Sequence, residues 1–318
     1  MKKIITGILV LCLMCSLVAC SSKAEGTYVV GICQLTQHDA LDAATKGFKD
    51  ALVEEFGDKV TFDEANASGE IVNCTTIVNG FISKKVDLIL ANATPALTAA
   101  VAATNTIPIL GTSVTSYAAA LEIPDDEWTG VCGGNVSGTS DIADLKAQAE
   151  MFPEWVPDAK HIGLLYCSAE ANSLFQVAAV EQYFAEMGYT TERFTFTDTN
   201  DVASVTQKAC DSCDAIFVPT DNTAASNTEA IANIVIPSKT PVITGESSMS
   251  KGCGVATISI NYYDLGVATG KMAAKILKGE TDISTMPVEY SPQLYKFYNP
   301  DVCEALGITP IEGYEILQ

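Results

Sequence analysis

The feature that most constrains the fold is a strand–loop–helix pattern that occurs twice in the chain. Residues 28–33 form an apolar run, a polar loop follows, and apolar residues then recur every three or four positions up to Gly57, as in an amphipathic helix. The same pattern starts again at His161, about 130 residues later, whereas solenoid repeats recur every ~20 to 50 residues. The sequence therefore predicts a duplicated α/β lobe.

Two further pairs of segments keep nearly the same offset. Residues 86–90 correspond to residues 213–217, and residues 107–111 correspond to residues 240–244. Polar residues follow the apolar runs in both copies, and open α/β folds bind ligands at the carboxyl ends of their parallel strands. We therefore expect an α/β protein of two Rossmann-like lobes, each a parallel sheet flanked by helices, with a ligand cleft between them.

The length of 318 residues agrees with two domains. About 60 residues remain after the second lobe is complete, which predicts that the chain crosses back and that three crossover strands form a hinge. The N-terminal lobe is expected to contain residues 28–138 and 262–290. The C-terminal lobe is expected to contain residues 139–261 and 291–318.

The first twenty residues are typical of a targeting segment. Lys2 and Lys3 precede an apolar run over residues 4–14, and the segment ends in Leu17-Val18-Ala19-Cys20, which resembles a bacterial lipobox. That resemblance implies cleavage before Cys20, a diacylglyceryl group on its thiol, and a flexible tether over residues 21–27. We expect a lipid-anchored protein on the outer face of the cell membrane, a plain signal peptide or short membrane anchor being the alternative.

Charge and arginine content exclude several classes of partner. The formal net charge is −21, and Arg193 is the single arginine, so nucleic acid is a poor partner. Phosphate and dicarboxylate sites favour bidentate arginine, and Arg193 lies on a predicted outer strand. A ligand with one carboxylate, held by hydroxyl and amide groups, fits this composition better.

Eight cysteines lie beyond the predicted signal peptide, mostly in or beside apolar runs, where a free cysteine behaves as a small hydrophobic residue. Cys210 and Cys213 form the one local pair, but the pair follows a predicted helix, unlike a redox motif, and no histidine near it in sequence completes a zinc site. The sequence also contains no Ser-His-Asp arrangement and no P-loop. We therefore expect no metal, no cofactor and no enzymatic activity.

Polar residues after the predicted strands are the candidates for ligand binding. Asp221 and Glu246 could accept hydrogen bonds from a ligand ammonium, or they could be ordinary loop acids. The hydroxyls could bind a ligand carboxylate, or they could cap helices. The candidates are Thr36, Gln37, His38, Thr94, Thr112, Ser113, Thr139, Glu170, Asn172, Ser173, Asp221, Asn222 and Glu246.

His38 and Glu170 occupy matching positions in the two repeats. They could meet when the cleft closes or contact the ligand, although His38 could also be a plain loop histidine. Tyr117, Tyr166, Phe175 and Tyr262 could stack on an aromatic ligand, although the helix core is the alternative place for Phe175.

Several stretches together resemble one protein family over residues 28–306. The chain is similar to the substrate-binding lipoproteins of ABC transporters, of the kind that includes tryptophan- and tyrosine-binding members. The stretches are residues 36–42, 47–49, 135–141, 170–173, 218–223 and 262–279.

The resemblance implies the type I periplasmic-binding-protein fold and a monomer that delivers a small solute, an aromatic amino acid above all, to an ABC permease and its ATPase. Ser116-Tyr117 replaces the Asp-Pro that is usual in the family after the fourth strand. A sensor lipoprotein, or a binding protein for a nucleoside or a sugar, is the alternative. Genes for a permease and an ATPase beside this one would favour transport over sensing.

Overall fold

The structure is a computed structural model that describes residues 26–124 and 126–317. Cys20, the rest of the predicted signal peptide and residues 21–25 of the predicted tether lie outside the described residues. No helix in the described part of the chain is long and apolar enough to cross a membrane.

Six strands of the described chain form the first sheet, in the order β2-β1-β3-β4-β5-β11, with all neighbours parallel. The predicted boundary between residues 138 and 139 falls inside β5, because this strand continues to Ser140 in the first sheet. The strands are β1 (Tyr28–Gln34), β2 (Val60–Asn66), β3 (Leu88–Asn92), β4 (Ile109–Val114), β5 (Val136–Ser140) and β11 (Glu289–Tyr290).

Seven strands of the described chain form the second sheet, in the order β13-β12-β10-β9-β8-β6-β7. In this sheet the order β7-β6-β8-β9-β10 corresponds, strand by strand, to the order β2-β1-β3-β4-β5 of the first sheet. The predicted duplication is therefore present in the topology. The strands are β6 (His161–Cys167), β7 (Thr190–Phe196), β8 (Ala215–Val218), β9 (Val242–Thr244), β10 (Ala256–Ser259), β12 (Tyr295–Tyr298) and β13 (Glu315–Ile316).

Helices connect the parallel strands. In chain order they are α1 (Asp39–Phe56), α2 (Ile71–Lys84), α3 (Thr94–Ala103), α4 (Tyr117–Ala120), α5 (Leu145–Trp155), α6 (Ala171–Glu186), α7 (Val202–Ser212), α8 (Asn222–Ala225), α9 (Thr228–Val235), α10 (Ser247–Cys253), α11 (Tyr262–Leu277) and α12 (Pro300–Leu306).

Alternate residues of the central strands enter hydrophobic cores on opposite faces of each sheet. On β1, Val30 and Ile32 pack with Phe48 of α1, whereas Cys33 packs with Phe81 of α2. This alternation follows from the two-residue period of a strand. It explains why these strands read as continuous apolar runs, because both faces of a parallel sheet are covered by helices.

The chain passes between the two sheets three times: from β5 into α5, from β10 into α11, and from β11 into β12. The number of passages agrees with the prediction, but residues 141–144, 260–261 and 291–294, which link the two sheets, are not strands. The second passage returns the chain to the first lobe, where α11 packs against α1.

Two glycines allow α1 and α11 to approach each other closely. A Cβ atom on Gly47 would collide with the carbonyl oxygen of Tyr263, and one on Gly266 would collide with the carbonyl oxygen of Ala44. The close packing of the two helix backbones therefore has no space for a side chain at either position.

We predict that Gly266→Ala destabilises the protein by about 1–3 kcal/mol, the usual cost of overpacking. The matched control is Gly80→Ala in α2, where an added Cβ meets no atom within 4 Å and should stabilise the helix by about 0.5–1 kcal/mol. Thermal and urea unfolding would measure both. Equal stability of the two variants would show that α11 does not need this close approach.

Candidate functional site

The carboxyl ends of the two sheets face each other, and loops from both lobes meet there. Thr36 Oγ1 lies 3.3 Å from Ser226 Oγ, and His38 Nε2 lies 3.3 Å from Asn222 Oδ1. The first residue of each pair follows β1 and the second belongs to the segment after β8. The two lobes are therefore in contact along this edge. Gln37, between the two first-lobe residues, is exposed.

The structure places Asn222 between His38 and Glu170. Among the described residues no hydrogen bond or ion pair joins His38 directly to Glu170, so the predicted pair is replaced by a chain of three side chains. The Glu170 carboxylate is 4% exposed and accepts hydrogen bonds from the backbone and side chains of Asn222 and Thr223 and from Asn172 Nδ2. It is fully engaged in organising the start of α8.

Asp221 caps α8. Its Oδ1 accepts a hydrogen bond from Ala224 N at 2.8 Å, and its Oδ2 accepts bonds from Cys167 N at 2.7 Å and Ser173 Oγ at 2.6 Å. Burial, and then the charge of Glu170, raises the pKa of Asp221 to about 7. Both oxygens are thus used within the second lobe, which favours the role of a loop acid over that of an ammonium acceptor.

Glu246 has the same kind of role at α10. Its Oε1 accepts hydrogen bonds from Met249 N and Ser248 Oγ, both at 2.7 Å, and its Oε2 accepts one from Ser248 N at 2.6 Å. Carboxylates that cap helices in this way satisfy otherwise unpaired backbone N–H groups. Neither acid chosen from the sequence leaves an oxygen without a donor from the protein.

Two of the candidate hydroxyls hold the first lobe together. Thr139 Oγ1 lies 2.8 Å from Thr269 Oγ1 of α11 and 3.3 Å from Thr112 Oγ1, and Thr269 Oγ1 donates to Leu265 O at 2.9 Å. This buried hydroxyl cluster connects β4 and β5 to α11. The cluster gives Thr112 and Thr139 a structural role that does not require a ligand.

Other candidate residues at the strand ends carry buried polar atoms without a hydrogen-bond partner in the described chain. These atoms are Thr94 Oγ1, Ser113 Oγ, Asn172 Oδ1 and His38 Nδ1. A buried polar group without a partner costs about 1–3 kcal/mol. Four of the candidate residues thus have a buried polar atom for which the described chain supplies no hydrogen-bond partner.

The backbone next to two of these residues is strained. Ser113, at the end of β4, has a φ of 54°, and Ala93, which directly precedes α3, has a φ of 93°. Residues other than glycine adopt this region at a cost, and such residues cluster at ligand sites. The strain supports a binding role for the loops after β3 and β4.

Sequence reasoning missed Asp141. This residue directly follows β5, at the first passage between the lobes, and is 3% exposed. Thr115 Oγ1 donates to its Oδ1 at 3.0 Å, and the hydroxyl of Tyr262 donates to its Oδ2 at 3.0 Å. The available signal was an acid that directly follows a hydroxyl-rich strand and ends one of the stretches that resemble the family, residues 135–141.

The electrostatic environment of Asp141 is unfavourable for its charge. Burial raises the pKa of Asp141 to about 6, the charge of Glu246 in the second lobe adds to the shift, and the Thr115 and Tyr262 hydrogen bonds oppose it. Among the described residues no lysine, arginine or histidine forms an ion pair with it. Asp141 lies at the first passage between the sheets and is bonded to Tyr262 at the second passage, so it lies between the two lobes.

Comparison with known proteins identifies the family. The family described as ABC transporter substrate binding protein matches residues 29–315. The chain belongs to this family. Its fold is the type I periplasmic-binding-protein fold, and its function is solute binding rather than catalysis. Substrate-binding proteins of ABC transporters work outside the cytoplasm.

Similar proteins include amino-acid-binding members. A tyrosine-binding protein from Clostridioides difficile is 31% identical over 290 residues, which is 90% of this chain and 83% of that protein. An ABC domain from Streptococcus pneumoniae in complex with L-Trp is 32% identical, with a TM-score of 0.86 and coverage of 91% of this chain and 99% of that one.

A ligand-free, open structure of a substrate-binding protein with adhesive properties from Clostridium difficile is 36% identical. Its TM-score is 0.68, with coverage of 92% of this chain and 99% of that one. The chain is therefore more similar in shape to the L-Trp complex, although it is slightly more similar in sequence to the open structure.

Proposed function

We propose that this protein captures an aromatic amino acid between its two lobes and delivers it to an ABC permease for import. The observation that carries the proposal is Asp141, a buried carboxylate between the lobes with no cationic partner among the described residues. A ligand ammonium supplies the missing positive charge.

Pairing with an ammonium offsets the cost of burying this carboxylate. An unpaired buried charge is strongly unfavourable, and an opposite charge in good geometry recovers much of the loss. Sugars and nucleosides carry no ammonium and would leave Asp141 unpaired. The site therefore favours a zwitterionic amino acid over these alternatives.

The other end of the ligand would bind to neutral donors. Thr94 and Ser113 have buried hydroxyls without a protein partner, and Thr94 lies at the start of α3, where backbone N–H groups and the helix dipole favour a carboxylate. The absence of arginine from the described cleft suits a single carboxylate better than a phosphate. The tyrosine and tryptophan ligands of the relatives support an aromatic side chain.

Closure of the lobes would retain the ligand. The contacts of Thr36 with Ser226 and of His38 with Asn222 join loops of opposite lobes, and the closer match to the L-Trp complex supports a closed arrangement. A ligand that contacts both lobes binds the closed state better and so shifts the population towards it. The permease would then recognise the closed form.

Asp141→Asn should weaken the binding of tyrosine or tryptophan by about 2–5 kcal/mol, as expected when one partner of a buried charge pair is removed. The ligand-free variant should be at least as stable as the native protein, because it lacks an uncompensated charge. Calorimetric titration and thermal unfolding measure the two quantities.

The matched control for this substitution is Asp144→Asn. Asp144 is exposed and caps α5 by accepting a hydrogen bond from Ala147 N, a role that asparagine performs equally well. Its variant should keep the native affinity. Native affinity in Asp141→Asn as well would contradict the proposed site.

The affinity should also depend on pH through Asp141. Its pKa of about 6 in the ligand-free protein means that the carboxyl takes up a proton as the pH falls through 6, and the protonated acid has no charge to pair. We expect binding about tenfold weaker at pH 5 than at pH 7, a range in which the ligand ammonium and carboxylate keep their charges. The ratio of the affinity at pH 7 to the affinity at pH 5 should be smaller in Asp141→Asn than in the native protein. An equal ratio in the two proteins would assign the pH dependence to another group.

We also propose that Cys20 carries the lipid anchor. The lipobox-like sequence supports this assignment, and a short tether would keep the protein beside its permease. Cys20→Ala should move the protein from the membrane fraction to the soluble fraction without changing ligand affinity. Membrane attachment that persists in this variant would contradict the assignment.

A further inference from the structure

A histidine, a glutamate and a cysteine meet at the end of the second lobe that lies away from the cleft. His161 is the first residue of β6 and pairs with Thr190 of β7, while Glu192 pairs with Gly163. Paired residues point to the same face of a sheet, and so do residues two apart along a strand. His161 and Glu192 therefore lie on one face of the sheet. Helix α7 covers this face, and Cys213 directly follows the helix there.

The three possible ligand atoms are close together. His161 Nε2 lies 3.4 Å from Glu192 Oε2, and the Cys213 Sγ atom lies within 4.8 Å of a ring nitrogen of His161 and of a carboxylate oxygen of Glu192. Gly163 makes room for the sulfur, because a Cβ atom there would be 3.3 Å from it. The fold thus brings His161 beside Cys213, although no histidine lies near the Cys210 and Cys213 pair in the sequence.

Hydrogen bonds fix which nitrogen of His161 faces the cluster as an acceptor. Thr190 Oγ1 donates its proton to Lys160 O at 3.2 Å, so its contact with His161 Nδ1 at 2.8 Å uses a proton on Nδ1. A neutral His161 then presents the lone pair of Nε2 to a carboxylate oxygen and a sulfur. The lone pairs that meet here can be satisfied by a proton, either on Nε2 or from the Cys213 thiol, or by a metal ion.

The backbone beside the cluster is held in place. Asp214 Oδ2 accepts hydrogen bonds from Lys160 N at 2.8 Å and from His161 N at 2.9 Å, and these bonds lower the pKa of Asp214. Asp214 directly follows Cys213, so it ties the cysteine to the start of β6. Such outer contacts are typical of metal sites, in which the second nitrogen of a ligating histidine is also hydrogen-bonded.

We propose that His161 Nε2, Glu192 and Cys213 form a zinc-binding site that is separate from the ligand cleft. Zinc binds nitrogen, carboxylate oxygen and thiolate sulfur at about 2.0–2.3 Å, and small side-chain rotations bring the three atoms to that distance. Three protein ligands leave a fourth position for water.

Zinc binding at this site releases a proton. The Cys213 side chain is buried, and a buried cysteine away from cations is a neutral thiol, so the thiol is protonated before the ion binds. The ion forms a bond to sulfur and the thiol proton passes to solvent. Zinc affinity should therefore increase as the pH rises.

The ordinary alternative is a surface ion pair between protonated His161 and Glu192 beside a buried thiol. It predicts no stoichiometric metal binding. The experiment uses the reduced mature protein, stripped of metal with a chelator. Competition with a chromophoric chelator measures Zn²⁺ affinity, and Co²⁺ reports the ligands through its thiolate charge-transfer absorption.

We expect one ion per chain and a thiolate-to-cobalt band. Cys213→Ser should abolish the band and, like His161→Ala, weaken zinc binding by at least about 100-fold, since even an outer partner of a ligating histidine is worth about 10- to 100-fold. The matched control is Cys210→Ser: Cys210 lies in the last turn of α7, is half-buried and interacts with Ser238 and Thr240.

Native zinc affinity in Cys210→Ser would support the site. No stoichiometric zinc, or loss of the cobalt band in Cys210→Ser but not in Cys213→Ser, would overturn it. Amino-acid affinity should be native in all three variants, so this outcome is independent of the proposed function.

Discussion

The structure depends on how one buried acid is held where the chain first leaves the first lobe. Asp141 receives hydrogen bonds from Thr115, which follows β4, and from Tyr262, which starts α11 after the second passage. These bonds join the ends of the first sheet to the hinge. Asp141 accepts fewer hydrogen bonds than the other buried acids near the cleft, one on each oxygen, so the hinge and the proposed ligand share a single group.

Four buried acids near the cleft differ in how their oxygens are satisfied. Glu170, Asp221 and Glu246 accept several hydrogen bonds from backbone N–H groups and hydroxyls of their own lobe. Each carboxylate oxygen of Asp141 accepts a single side-chain hydrogen bond, from a hydroxyl group. Because a buried carboxylate needs donors or a cation, this difference separates acids that stabilise loops from the acid that is suited to bind a ligand.

The sequence predicted the architecture well because the architecture depends on periodic patterns. The duplicated strand–helix unit is visible in the apolar spacing, and five strands of each sheet have the same order. Position in the repeat also showed correctly that His38 and Glu170 lie at the facing edges. It could not show that Asn222 would come between them, because side-chain direction depends on contacts distant in sequence.

The assignment of roles to the acids failed for the same reason. Nothing in the sequence around Asp221 or Glu246 shows that their oxygens bind backbone N–H groups, and nothing around Asp141 shows that Tyr262 would reach it from 121 residues away. His161 and Cys213 were likewise judged unrelated because they are far apart in sequence. The hydrogen-bond partners of these side chains can therefore be identified only in the folded structure, whereas the lobes and the strand ends can be predicted from the sequence.

In the proposed complex, Asp141 pairs with the ligand ammonium. The most direct measurement compares the affinities of tyrosine and of its analogue without the amino group, 3-(4-hydroxyphenyl)propionate, in the native protein and in Asp141→Asn. Loss of the amino group should weaken binding strongly in the native protein and only slightly in the variant, so that the two changes are not additive. Equal losses in the two proteins would show that the ammonium binds elsewhere.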